Sequence, residues 1–182
     1  MNKTPQRLSL DTSLSEFQRQ LDAAIAHPDI STDAFVGMVV DDQRWLLDLS
    51  MLSETSVPPP VSRTGRAPPW VVGITSFRGQ VHTVMDMRYV LRKESTLAVS
   101  QAWATPIHDR WGGSVALLWP QMAGLLGKLE LEEQPLPTPV PRWARSAWKD
   151  AQGQVWYEFD VAAFLSSEYA GNAPLERSDN GE

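Results

Sequence analysis

The sequence contains no cysteine. Disulfides, thiolate nucleophiles and cysteine-based metal sites are therefore excluded together, and the composition suits a reducing compartment. Histidine is scarce too. His27, His82 and His108 stand far apart, with none of the short spacings that bring two imidazoles to one metal. Long apolar runs are also missing. No stretch approaches the roughly 18 apolar residues of a membrane span, and Met1 to Leu10 lacks the apolar centre of a signal peptide. A cytoplasmic protein without direct membrane insertion is expected. There is no Gly-Lys-Ser/Thr phosphate loop, no Gly-x-Gly-x-x-Gly turn and no Gly-x-Ser-x-Gly elbow. Asp41-Asp42 and Glu132-Glu133 are adjacent pairs in expected turns, where neighbouring side chains diverge, which suits solvation better than a general acid and base. No catalysis, cofactor or metal is expected.

What is present begins with tryptophan. Eight occur, at positions 45, 70, 103, 111, 119, 143, 148 and 156, and such side chains either fill cores or dominate protein-binding surfaces. The formal net charge of −6 argues against a nucleic-acid binder. That charge is unevenly spread. Between Pro60 and Lys93 lie Arg63, Arg66, Arg78, Arg88, Arg92 and Lys93, with Asp86 as the sole carboxylate. Either this is a solvated loop with scattered cations or it is a docking surface for an acidic partner.

Three regions are expected: an N-terminal helical extension over 1–33, a folded domain over 34–168, and a flexible tail over 169–182. Leu14, Phe17, Leu21 and Ile25 recur at spacings of three and four, which places them on one face of an amphipathic helix. Ser13 and Glu16 suit a capping box at its start. From Phe35 the texture is β-like. Phe35–Val40, a turn at Asp41–Arg44 and Trp45–Leu49 read as one hairpin; Ala102–Ile107 and Ser114–Trp119 read as a second. Pro58-Pro59-Pro60 and Pro68-Pro69 bracket an expected irregular loop, because proline lacks the amide that a ladder requires. Leu131–Pro141 reads as another irregular connection.

An internal repeat organises the rest. The segment Gly79-Gln80-Val81-His82-Thr83-Val84-Met85-Asp86-Met87-Arg88-Tyr89-Val90-Leu91 aligns without gaps to Gly153-Gln154-Val155-Trp156-Tyr157-Glu158-Phe159-Asp160-Val161-Ala162-Ala163-Phe164-Leu165. Gly, Gln, Val, Asp and Leu coincide. Each unit reads as a glycine turn (Gly79, Gly153), a strand, an aspartate cap (Asp86, Asp160) and a short helix. Two hairpins, each followed by such a unit, imply a mainly β protein of two similar small subdomains. Small β subdomains close into barrels to remove exposed edges, and an apolar seam between the two is expected.

The stretch Trp70-Val71-Val72-Gly73-Ile74-Thr75-Ser76-Phe77-Arg78-Gly79-Gln80-Val81, followed by Val84-Met85-Asp86-Met87-Arg88, resembles the signature of CheW-like domains, a W-V-x-G stretch leading to an N-L-R-G turn and a strand ending in D-L-R. The resemblance extends more loosely from about Phe35 to Leu165. It implies two intertwined five-stranded β-barrels with short helices, and a role as an adaptor joining the signalling tip of a methyl-accepting chemoreceptor to the regulatory domain of a CheA-like histidine kinase. It implies receptor contact at Arg78, with Val72, Ile74, Phe77, Val84 and Met85 as the apolar residues that accept the tip. Ser76 and Phe77 depart from the usual Asn and Leu, and Gly113–Pro120 lacks the Val-Asp pair of the family's second barrel, which puts kinase docking there in question. With the N-terminal helix, these departures make the chain most similar to the PilI-type adaptors of type IV pilus systems, which serve a PilJ-like receptor and twitching motility. Two other readings remain open: a CheW-like module rewired to a different partner, and a β-barrel that binds an anionic small molecule through the basic stretch.

Overall fold

The computed structural model describes residues 34–94, 97–112 and 114–171; the expected N-terminal helix and the chain beyond 171 lie outside the described residues. Ten strands and three short helices follow in order: β1 Ala34–Val40, β2 Gln43–Asp48, β3 Val71–Phe77, β4 Gln80–Asp86, α1 Met87–Arg92, β5 Trp103–Pro106, β6 Val115–Trp119, β7 Gln121–Gly127, β8 Glu132–Gln134, β9 Ala144–Lys149, β10 Val155–Phe159, α2 Val161–Leu165 and α3 Glu168–Gly171. They form a sheet of order β7-β1-β2-β10-β9-β8 and a smaller one of order β3-β4-β6-β5.

Each sheet joins a hairpin from one half of the chain to a hairpin from the other. The β1–β2 hairpin meets β9–β10 through the parallel pair Trp45↔Tyr157 and Leu46↔Glu158. The β5–β6 hairpin meets β3–β4 through four parallel pairs, from Thr83↔Val115 to Asp86↔Leu118. Neither half can leave without breaking both sheets. This is the expected intertwined pair of subdomains, and the six-and-four strand count resolves into two rings of five. In the larger ring, β7 pairs with β1 and β8 with β9. Since β7 and β8 are consecutive, they act as one bent strand that closes the barrel. In the smaller ring the closing member is the stretch from Leu52 to Ser62. Ser56 exchanges backbone hydrogen bonds with Ala104 of β5 (3.1 and 2.8 Å), and Ser62 does so with Ile74 of β3 (both 2.8 Å). The proline-rich loop expected at Pro58–Pro60 is thus the fifth member of a barrel. Prolines interrupt its ladder, so its backbone pairing with β5 stops at Ser56 and pairing with β3 resumes at Ser62.

The repeat emerges as a structural unit. Asp86 Oδ1 accepts the amides of Arg88 (2.9 Å) and Tyr89 (3.1 Å) at the start of α1, and Asp160 Oδ1 accepts the Ala163 amide (2.8 Å) at the start of α2. The two aspartate amides donate to matching tryptophan carbonyls, Trp70 (2.8 Å) and Trp143 (2.9 Å). Both indoles then pack on Tyr169, at 4.8 and 5.4 Å between ring centres. Tyr169 is buried, so the packed chain includes a residue assigned above to the tail. On α3, the Arg142 guanidinium donates to Glu168 (2.7 Å) and holds that carboxyl below its ordinary value.

Three apolar clusters fill the molecule. Phe77, Val84, Ala104, Ala116 and Leu118 fill the small barrel; Phe35, Leu46, Leu131, Trp148 and Trp156 fill the large one. Between them lies the largest, with Met38, Trp45, Met85, Trp119, Phe159 and Phe164, fed by both sheets. Phe159 is its pivot, edge-on to Trp45 (5.7 Å) and to Trp119 (5.8 Å); removing such a side chain costs about 3–5 kcal/mol. The expected apolar seam is therefore present and buried.

The exposed turn carboxylates also pair with cations. Asp41 and Asp42, in the β1–β2 turn, pair with arginines of α1: Arg88 reaches Asp41 (3.0 Å), and Arg92 reaches Asp42 and, more loosely, Asp41 (3.8 Å). At the β9–β10 turn, Asp150 accepts the Gln152 amide (2.9 Å), the Gln154 amide (2.8 Å) and the Trp156 indole N–H (2.8 Å). Its partial burial opposes ionisation. The Trp156, Gln154 and Gln152 hydrogen bonds and the nearby Arg44 charge outweigh that, so its pKa falls below the ordinary 3.8.

Two stability predictions follow from this architecture. Gly73 sits at φ +153, where a Cβ would run into the Ser62 carbonyl that bonds the closing stretch to β3. Gly73→Ala should lower the unfolding free energy in urea by at least about 1 kcal/mol. Gly65→Ala, in open space, should change it by no more than about 0.5 kcal/mol; equal effects would remove the closing role. Because the Asp150 pKa is depressed on folding, its contribution is complete above pH 3.8 and drains away as pH falls through the folded value. The urea midpoint of Asp150→Asn should trail the parent at pH 7 and converge on it as pH falls below 3.8. A gap that persists at low pH would show that the carboxylate charge is not the cause.

Candidate functional site

The β3–β4 turn is two residues long, Arg78 at φ +50 and Gly79 at φ +84. Two consecutive left-handed residues make the turn whose twist matches that of a hairpin. Glycine adopts that conformation freely, whereas an arginine does so only when its surroundings hold it. Here the hold is the β3–β4 ladder, closed at the Phe77↔Gln80 pair; the side chain is oriented separately, Arg78 Nε donating to Glu54 Oε2 at 2.8 Å. Glu54 lies on the closing stretch with its side chain only 19% exposed, and its other oxygen accepts the Ser56 hydroxyl (3.1 Å). The Arg78 side chain is itself 72% exposed. An exposed pair of this kind adds little stability. Its effect is orientation, since Nε is occupied and the side chain is tied at that atom.

Alternation along β3 sorts the neighbouring residues. Val71, Gly73, Thr75 and Phe77 face inward, while Ile74 and Ser76 face outward. Opposite Ser76 stands Val81, which is 60% exposed. Of the residues expected to meet a partner, Arg78 and Ile74 (36% exposed) lie on this outer face. Val72 is half-buried and lines a groove of about 500 Å³ with Val57, Pro58, Pro59, Pro60, Val61 and Val99. Phe77, Val84 and Met85 are corrections. Phe77 and Val84 fill the small barrel, and Met85 is in the shared core, so none offers a surface to a partner. Sequence reasoning passed over Val81 and Glu54. The strand register could have found Val81; Glu54 precedes the proline run and carries no local signal.

The basic stretch does not form one surface. Arg88 and Arg92 are turned to Asp41, Asp42 and Glu94, and Lys93 meets the Tyr169 hydroxyl. Arg63, Arg66 and Arg78 are exposed, and only Arg63 among them lines the groove. A pocket walled by several arginines, which the anionic-ligand reading requires, is not what the groove offers. His82 is buried, with Nδ1 2.9 Å from the Gln80 carbonyl and its ring edge-on to Phe77 at 5.5 Å, a satisfied core histidine. Among the described residues no three His, Cys, Asp or Glu side chains gather as metal ligands would, and no helix is long and apolar enough to cross a membrane. Chemically, the site offers a fixed guanidinium beside exposed aliphatic side chains, an arrangement suited to binding.

Comparison with known proteins bears on the family and the fold. The sequence model of the CheW-like domain family matches residues 34–169. Among solved structures, the scaffolding protein TtCheW from Thermoanaerobacter tengcongensis is similar, with a TM-score of 0.62 at 12% identity over 76% of this chain and 95% of that one. No curated protein matches the chain.

Proposed function

The chain belongs to the CheW-like domain family, and from that premise we propose that it is a non-catalytic scaffold coupling a methyl-accepting chemoreceptor to a CheA-like histidine kinase in the cytoplasm. The observation that carries the reading is the β3–β4 tip. Arg78 stands exposed at a left-handed turn position with its Nε paired to Glu54, at the end of the outer face that carries Ile74 and Val81. A loop residue presented so by a rigid barrel suits recognition, and the N–H groups left over from Glu54 suit a carboxylate on a receptor helix. Within this reading, the N-terminal extension and the departures in the second half favour a PilJ-like receptor and twitching motility.

The departures from the family pattern have separable physical consequences. Phe77, in place of the usual Leu, is enclosed in the small barrel, so that change is one of packing. Ser76, in place of Asn, lies outward opposite Val81 and alters the docking face itself. A second reading rests on Ser76: a scaffold of the same kind directed to a different partner. The strand that lacks the Val-Asp pair, β6, is buried along its whole length, so its change also belongs to the interior.

The test is a titration of the purified chain against two soluble probes, the cytoplasmic tip of a pilus-type chemoreceptor and the regulatory domain of its CheA-like kinase. Both should bind. Arg78→Ala should weaken the tip about tenfold, equivalent to about 1.4 kcal/mol, while leaving kinase affinity and the urea midpoint unchanged. Binding to the kinase alone would favour the redirected scaffold; binding to neither would end the coupling reading. Unchanged tip affinity in the variant would remove Arg78 from the interface.

A further inference from the structure

The proline-interrupted closing stretch leaves an apolar groove in the wall of the small barrel. Residues 57–61 of that stretch line it together with Val72 of β3, Val99, Arg63 and Ser100, around a volume of about 500 Å³. Its frame is fixed at both ends. Ser56 exchanges backbone hydrogen bonds with Ala104 and Ser62 with Ile74, and the Thr75 hydroxyl donates to the Pro60 carbonyl (2.9 Å). Proline backbone has little freedom to lose, so the groove is formed before anything enters it. A preformed groove costs an occupant little beyond the occupant's own ordering.

The charge of the groove has one sign. None of its lining residues is acidic, and the stretches that supply them, 55–85 and 95–108, contain no Asp or Glu. Arg63 makes no ion pair among the described residues, and Arg66 close to it in sequence is exposed. The carboxylates nearest in sequence to the lining residues, Glu54 and Glu94, are paired with Arg78 and Arg88. An occupant that is apolar and carries carboxylates is the complement of this surface.

The first strand brings such a segment within reach. β1 begins at Ala34, and Phe35 beside it pairs with Asp48. From Asp48 the chain runs through Leu49–Met51 into the closing stretch, so Val57 lies within about 32 Å of that pair even at full extension. The residues before Ala34 have both properties that the groove requires. Leu14, Phe17, Leu21 and Ile25 recur at helical spacing, and from Asp11 to Asp33 five carboxylates stand against Arg19 alone, with Lys3 and Arg7 further from β1. A helix over 13–26 is about 21 Å long, and the connection 27–33 adds about 23 Å of reach. Tethering places the segment at an effective concentration in the millimolar range, ahead of a free partner.

We propose that the groove is the docking site of this chain's own N-terminal segment, residues 11–26. Its apolar stripe covers the proline wall, Val72 and Val99, and its carboxylates face Arg63. The proposal is independent of the coupling reading.

The experiment uses the full chain, which has no cysteine, so Ala23→Cys takes a single nitroxide label. Ala23 stands opposite the apolar stripe on a helix, which keeps the label off the contact. In isotope-labelled protein at low concentration, the amide signals of Val57, Val61, Val72 and Val99 should lose more intensity to the nitroxide than any others in the two barrels. Phe17→Asp combined with Leu21→Asp should restore those signals, and Arg63→Gln should reduce their loss at low salt more than at high salt. A nitroxide effect centred elsewhere, or none, overturns the proposal. An effect of the same size in a mixture of nitroxide-bearing and isotope-labelled chains also overturns it, because the occupant is then a second copy.

Discussion

The parallel pairing of β2 with β10 is the junction on which the rest of the structure depends. It rests on two register pairs, Trp45↔Tyr157 and Leu46↔Glu158, yet it is where one half of the chain enters the barrel of the other. Parallel neighbours cannot be joined by a tight turn, so everything between these strands must be threaded before the junction can form. Backbone bonds alone would hold so short a seam poorly. Aromatic packing reinforces it: Trp45 lies against Tyr157 and Phe159 (5.7 Å each), and Phe159 reaches on to Trp119 at the end of β6 in the other sheet. The two barrels therefore share one central aromatic cluster, and a contact order this high makes for slow folding.

Interlocking also explains why turns at the barrel ends suit recognition. The strands are enclosed on two faces, one by the barrel they line and one by the neighbouring barrel. Successive residues of β4 from His82 to Asp86 are all buried, leaving little strand surface for a partner. In the small barrel, what remains available is the ends and the outward face of β3. The groove lined by Pro58–Pro60 has a related origin. The proline-interrupted closing stretch bonds to its neighbours at its ends, and its middle is left with side-chain surface in place of a ladder.

Much of the fold was legible in residues whose roles are local. Asp86 and Asp160 recur at the same place in two strand-to-helix steps because each caps a helix, and the hairpin around Asp41–Arg44 follows from alternation and turn chemistry. Less legible were elements whose pattern is set by distant neighbours. β7, Gln121–Gly127, is half-exposed and carries two glycines, and β9, Ala144–Lys149, mixes cations with alanine and tryptophan; neither announces a strand locally. A partner-binding face was expected at Val72, Ile74, Phe77, Val84 and Met85 because apolar residues beside a recognised turn suggest an interface; the last three are enclosed. In an enclosed strand, apolar character on both faces marks burial. Arg78 was readable from the motif, but Glu54, which holds it, is brought near only by barrel closure.

Tryptophan brings the fold and the site together. Composition left open whether the eight serve core or surface, and the structure divides them. Trp45, Trp103, Trp119, Trp148 and Trp156 are buried, and Trp70 and Trp143 are half-buried around Tyr169 at matched positions of the repeat. Each of these seven has a structural use that would account for its size. Trp111 does not: it takes no part in the three apolar clusters, and the turn that carries it is closed by backbone bonds and by Asp109, His108 and Arg110. At 41% exposed it is the most open of the eight.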